Sequence, residues 1–123
     1  MTGKIIQIVE DDGLIALNLV ETLEKAGYRV VEPAYSGEMA IQALEKTLKP
    51  HLILMDIGLS GKLDGIETAR QIRQRHDIPI IFLTAYSNLA KIEEAKNISP
   101  YGYIKKPYLE QDLLATVEKA LYK

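Results

Sequence analysis

At 123 residues, with a hydrophobic fraction of 47% and a charged fraction of 26%, the chain is sized and composed for a single globular domain, residues 1–123, with a core of its own. It has no cysteine, which excludes disulfides, thiolate metal sites and cysteine nucleophiles and fits a reducing cytoplasm. A formal net charge of −2 without a basic block argues against direct nucleic-acid binding, and the apolar run up to Val9 is too short for a signal peptide or a membrane span.

Lys4 to Val9 is a β-branched run of strand length. Gly13 to Ala26 carries Ala16, Leu19, Val20 and Leu23 at helical spacing, and Gly27 is placed to stop that helix. Arg29 to Ala34 reads as a second strand. Ser36 can cap a helix running to about Leu48, with Pro50 beyond its end. Leu52 to Met55 is a wholly apolar strand. Asp64 caps the next helix, with Glu67 at capping-box spacing, and that helix runs to about His76. Pro79 opens the strand Ile80 to Leu83. A weaker helix covers about Asn88 to Lys96, and Tyr101 to Ile104 is the last strand. The final helix, about Leu109 to Tyr122, gathers Leu113, Leu114, Val117, Ala120 and Leu121 on one face.

Strand and helix thus alternate five times. That pattern implies right-handed crossovers and a parallel sheet covered on both faces. The strands at 52–55 and 80–83 are apolar without alternation, as doubly buried strands are. The expected fold is α/β, a flavodoxin-like (βα)5 doubly wound sheet of order 2-1-3-4-5.

Ligands of such sheets bind beyond the carboxyl ends of the strands. Here those ends are chemically marked. Strand one ends in Glu10, Asp11 and Asp12, strand three in Asp56, strand four in Thr84, and strand five near Lys105, Lys106 and Pro107. In the order above, strands one and three are neighbours and their carboxylates meet. Crowded carboxylates repel and raise one another's pKa. A hard divalent cation such as Mg²⁺ relieves the conflict. One carboxylate oxygen could then act as a nucleophile while cation and lysine hold phosphoryl oxygens. Taken singly, each residue has a plainer reading: Asp12 as a helix cap, Thr84 as a helix-entry residue, Lys105 and Lys106 as solvated surface. His51 and His76 read as surface residues. The coincidence of four marked ends is what favours a site.

The ordered motifs IVEDD, LILMDIGL, FLTAY and YGYIKKPY resemble the receiver domains of two-component signalling over nearly the whole chain. The resemblance implies an acidic pair at Glu10 and Asp11, a phosphoacceptor at Asp56, and a hydroxyl switch residue at Thr84. It also implies a phosphate-binding lysine at Lys106 rather than Lys105, followed by a bond to Pro107 that is usually cis. Tyr103 takes the position of the aromatic switch residue. The metal would be Mg²⁺, held by Asp11, Asp56 and the carbonyl of Gly58, with Glu10 acting through a water. The partner would be a sensor histidine kinase or a phosphotransfer protein, and the fourth helix, fifth strand and fifth helix would form the output face, open to a second copy. Such a domain is no classical enzyme and catalyses only its own phosphorylation and dephosphorylation.

The stretch DIGLSGKLDG departs from the family pattern. Ser60 stands where a proline is usual, and one extra residue precedes Asp64, as in a subgroup often joined to sensor-kinase and PAS modules. Rival readings fit less well. An FMN carrier needs a phosphate-cradling first loop where Glu10, Asp11 and Asp12 would repel phosphate. A phosphatase of the haloacid-dehalogenase type needs an acid two residues past Asp56, where Gly58 stands. Gly58 and Gly61 are too close for a P-loop, despite Lys62. A purely structural module would have no use for the full set of polar residues.

Overall fold

In a computed structural model that describes residues 3–46, 49–85 and 89–122, strands and helices alternate along the chain. They are β1 (Ile5–Val9), α1 (Gly13–Lys25), β2 (Arg29–Val30), α2 (Gly37–Lys46), β3 (Leu52–Asp56), α3 (Gly65–Arg75), β4 (Ile80–Thr84), α4 (Leu89–Ala95), β5 (Gly102–Lys105) and α5 (Glu110–Tyr122). A 3-10 turn, Lys96–Ile98, extends α4. The strands are all parallel and lie in the order β2-β1-β3-β4-β5. This is the flavodoxin-like α/β fold expected from the alternation. No described helix is long and apolar enough to cross a membrane.

Every residue of β1, β3 and β4 is buried, because helices cover both faces of the sheet. One face packs against α2, α3 and α4 through Val9, Ile53, Met55, Ile66, Ile72 and Phe82. The other packs against α1 and α5 through Ile8, Leu19, Leu23, Leu54, Leu113 and Val117.

The helix starts are set by short polar side chains, as the sequence suggests. Asp12 accepts the N–H groups of Leu14 (2.9 Å) and Ile15 (3.2 Å), so its role is the cap. Ser36 Oγ accepts from Met39 N–H at 3.1 Å, and Asp64 accepts from Glu67 N–H at 2.8 Å. The Glu67 side chain pairs with Arg70 and Gln71, so the capping box is completed on its Asp64 side alone. Gly27 ends α1 with φ +98°, a conformation that glycine adopts without steric cost.

The structure differs from the sequence reading at several places, β5 among them, which runs Gly102–Lys105 rather than Tyr101–Ile104. β2 is shorter than Arg29–Ala34. Val31 N–H donates to Ile6 O and Ala34 N–H to Ile8 O, so three residues of this strand span two of β1. Glu32 and Pro33 absorb the difference as a bulge, and Pro33 has no N–H to give the ladder. The turn after α4 ends at Ser99, whose φ is +55°; the expected helix start, Asn88, and the expected end of the second helix, Leu48, lie outside the described residues. Of the two histidines expected at the surface, His51 is exposed and His76 is not fully so. His51 Nδ1 accepts from Ile5 N–H at 3.0 Å and steadies the start of β1. His76 is half-buried, and its Nδ1 is a buried atom with no hydrogen-bond partner.

Candidate functional site

The register between β1 and β3 places Val9 opposite Met55, so the residues that follow on the two strands emerge side by side. Glu10 and Asp56 are buried, at 1% and 8% exposure, and Asp11 is exposed. Carboxylate oxygens of Glu10, Asp11 and Asp56 lie within 4.8 Å of one another. Lys106, just past β5, points its Nζ into this group, 3.1 Å from Glu10 Oε1 and 3.7 Å from Asp56 Oδ1. Lys105 is paired in register with Thr84 and is exposed.

The three carboxyls are not equivalent. Burial pushes Glu10 up to about 7. The Asp56 charge adds to this, while the Asp12 N–H and Lys106 oppose it. Asp11 moves the other way. The Ser60 hydroxyl, bonded to its Oδ2 at 2.6 Å, holds it below the usual carboxylate range, aided by Ser60 N–H at 3.1 Å. Crowding alone therefore does not raise all three: burial decides for Glu10, and hydrogen bonding decides for Asp11.

The loop after β3 folds around Asp56. Gly58 N–H donates to Asp56 Oδ1 at 3.0 Å. Gly65, at the start of α3, sits so close that a Cβ there would lie 2.3 Å from the Asp56 carbonyl oxygen and 2.9 Å from Ile57 Cα. Asp64 caps α3 and also binds Lys91 of α4 at 2.8 Å. Its charge is favoured by the Glu67 N–H and by Lys91, which together outweigh its burial and lower its pKa.

Thr84 is buried, and its hydroxyl donates to the carbonyl of Ala85 at 3.2 Å. Its own carbonyl accepts from Lys106 N–H at 2.7 Å. The Lys106–Pro107 bond is cis. Tyr103 is half-buried; its ring stacks on Phe82 with centroids 6.2 Å apart, and its hydroxyl donates to Ile92 O at 3.5 Å. Glu10, Asp11, Asp56 and Lys106 thus meet, with Gly58 and Thr84 on the flanking backbone and Tyr103 one strand away. Ser60 and Lys91 were not singled out as site residues. Ser60 is marked in the sequence only as a hydroxyl where proline is usual, and Lys91 carries no motif.

The family model of the response regulator receiver domain matches residues 6–118. This chain belongs to that family. It is 35% identical over 114 residues to the transcriptional regulatory protein PdtaR of Mycobacterium tuberculosis, covering 93% of this chain and 55% of that protein. Among solved structures, the N-terminal domain of a response regulator/sensory box/GGDEF 3-domain protein from Carboxydothermus hydrogenoformans is 42% identical with a TM-score of 0.88, over 96% of this chain and 94% of that one. The receiver domain of a modulated diguanylate cyclase from Desulfovibrio desulfuricans is 36% identical with a TM-score of 0.89, over 98% and 94%. The chain spans about half the length of the curated relatives it matches. It is a receiver domain of two-component signalling with an acidic pocket of Glu10, Asp11 and Asp56. The family normally serves as a phosphoacceptor rather than as a classical enzyme, and it implies a histidine-kinase partner.

Proposed function

We propose that residues 1–123 act as one phosphoacceptor switch, in which Asp56 takes a phosphoryl group from a phosphohistidine of a sensor kinase or phosphotransfer protein. An Asp56 carboxylate oxygen forms the new bond to phosphorus, the phosphorus–nitrogen bond breaks, and the imidazole leaves with that electron pair. The observation that carries this reading is the meeting of three carboxylates with Lys106 bound to two of them.

The donor set suits Mg²⁺, a hard cation that takes carboxylate and carbonyl oxygens. Asp11, Asp56 and the Gly58 carbonyl would hold it directly, with Glu10 through a water. Bound there, it would offset the carboxylates' charge and the charge of the transferring group. Lys106, whose Nζ lies 3.1 Å from Glu10 and 3.7 Å from Asp56, would bind a phosphoryl oxygen. Thr84 gives up only a 3.2 Å local bond to turn its hydroxyl toward a phosphoryl group on Asp56. That turn frees space beside Phe82, into which the Tyr103 ring moves from its half-buried position. The α4-β5-α5 face then changes, for a partner or a second copy of the domain to read.

A neighbouring cleft supports a site of approach for the donor. A cleft of about 530 Å³ lined by Leu14, Ile15, Asn18, Lys106, Pro107 and Tyr108 adjoins the pocket. Leu14 on its rim is 80% exposed, and an apolar rim of this kind suits a helical donor domain docking over Asp56.

Acetyl phosphate with and without Mg²⁺ tests the reading. The intact mass should rise by one phosphoryl group with Mg²⁺ present. Asp56→Asn should stay folded and unlabelled, and labelling of that variant at the wild-type rate would remove Asp56 from its role.

A further inference from the structure

Asp11 and Ser60 lie 49 residues apart, one after β1 and the other in the loop between β3 and α3. Ser60 nevertheless gives Asp11 both of its donors, and both land on the same atom, Oδ2. A proline at that position would supply neither an N–H nor an O–H. The clamp is local: it leaves Oδ1 of Asp11 unengaged by Ser60.

An exposed aspartate beside two other carboxylates has two reasons to turn away from them. It is repelled by their charge, and it gains rotamer freedom in water. Two hydrogen bonds to a carboxylate oppose both effects, because bonds to a charged acceptor are stronger than neutral ones. Carboxylates that ligate metals are themselves held by hydrogen bonds in this way, which keeps the free oxygen aimed at the ion.

We propose that Ser60 is a positioning residue of the metal pocket, clamping Asp11 by Oδ2 so that its other oxygen is presented to a divalent cation. This rests on the reading of Glu10, Asp11 and Asp56 as a Mg²⁺ site. The clamp also ties the loop that follows Asp56 to the loop that follows β1, so occupation of the pocket and ordering of residues 57–64 favour each other.

Calorimetric titration with Mg²⁺ decides it, using the wild type, Ser60→Ala, Ser60→Thr and Asp11→Asn. Loss of a hydrogen bond behind a metal ligand weakens metal binding about 10- to 100-fold. Because Ser60 is exposed and its N–H remains in the alanine variant, the lower end, about tenfold, is expected for Ser60→Ala. Ser60→Thr keeps both donors and should bind within about twofold of wild type. The melting temperatures of the wild type, Ser60→Ala and Ser60→Thr without Mg²⁺ should lie close together, which separates positioning from a general loss of structure. If Ser60→Ala binds as tightly as wild type or more tightly while Asp11→Asn loses binding, the clamp proposal is wrong and the pocket stands. If the wild type binds no Mg²⁺, or Asp11→Asn binds as well as the wild type, the pocket reading fails and the clamp falls with it.

Discussion

The raised pKa of Glu10 predicts that Mg²⁺ binding at the proposed site depends on pH near neutrality. Its buried carboxyl titrates at about 7 in the metal-free protein, against an ordinary value of 4.5. The cation calls for the carboxylate form, so below pH 7 it must displace a proton. At pH 6 roughly a tenth of the molecules carry the Glu10 anion and at pH 8 roughly nine tenths, so Mg²⁺ should bind about tenfold more weakly at pH 6. At pH 7 about half a proton should be released per ion bound. Titration calorimetry in two buffers of different ionisation enthalpy measures that release directly. Stability of the metal-free protein runs the opposite way. The folded state holds its proton more tightly than the unfolded chain between 4.5 and about 7, so the contribution of Glu10 is fully present below 4.5 and is lost as pH rises through 7. The loss is of order 3 kcal/mol, and Glu10→Gln, which keeps the shape without the charge, should not show it. A wild-type Mg²⁺ affinity that is flat from pH 6 to 8, or a slope that survives in Glu10→Gln, would refute this account.

Lys106→Ala should impair phosphorylation far more than Lys105→Ala, since it is Lys106 Nζ that lies 3.1 Å from Glu10 and 3.7 Å from Asp56; equal rates of labelling would show the lysine register to be wrong. Gly65→Ala should destabilise the domain by about 1–3 kcal/mol, as overpacking does, and slow labelling of Asp56, because the new methyl would press on the Asp56 backbone. Denaturant midpoints and labelling rates check both parts, and a variant indistinguishable from wild type in each would mean that the close approach is dispensable. Beryllofluoride, which mimics the phosphoryl group, should move the amide signals of Thr84, Tyr103 and residues 89–104. Shifts confined to residues around Asp56 would leave the acceptor and discard the switch.

The buried strands were the most legible part of the fold. Leu52–Met55 and Ile80–Leu83 have no polar face because the sheet has none. Asp12, Ser36 and Asp64 were legible as caps because capping is a matter of neighbours two or three residues away. β2 was over-read because its side chains suit a strand to Ala34, while the bulge at Glu32 and Pro33 depends on pairing with β1. In the pocket, the sequence places the acids at strand ends but says nothing of their depth. Glu10 and Asp11 are adjacent, yet one is buried and the other exposed, and only the turn into α1 decides which. The Asp11–Ser60 pair was beyond reach for the same reason: it depends on where two loops meet.

The two sides of the sheet differ in what they share with Tyr103. Its ring stacks on Phe82 and packs against the core on the side of α2, α3 and α4, to which Ala95, Ile92 and Ile98 also belong. Its strand neighbour Ile104 faces the other way, into the layer of Leu113 and Val117. The central sheet therefore works as a partition. If Tyr103 moves as proposed, α4 would feel it directly through the bond from the Tyr103 hydroxyl to Ile92 O, whereas the α5 core residues Leu113 and Val117 lie across the sheet from its ring. On that proposal, a partner that reads α4 would meet the change nearer its source than one that grips the core side of α5.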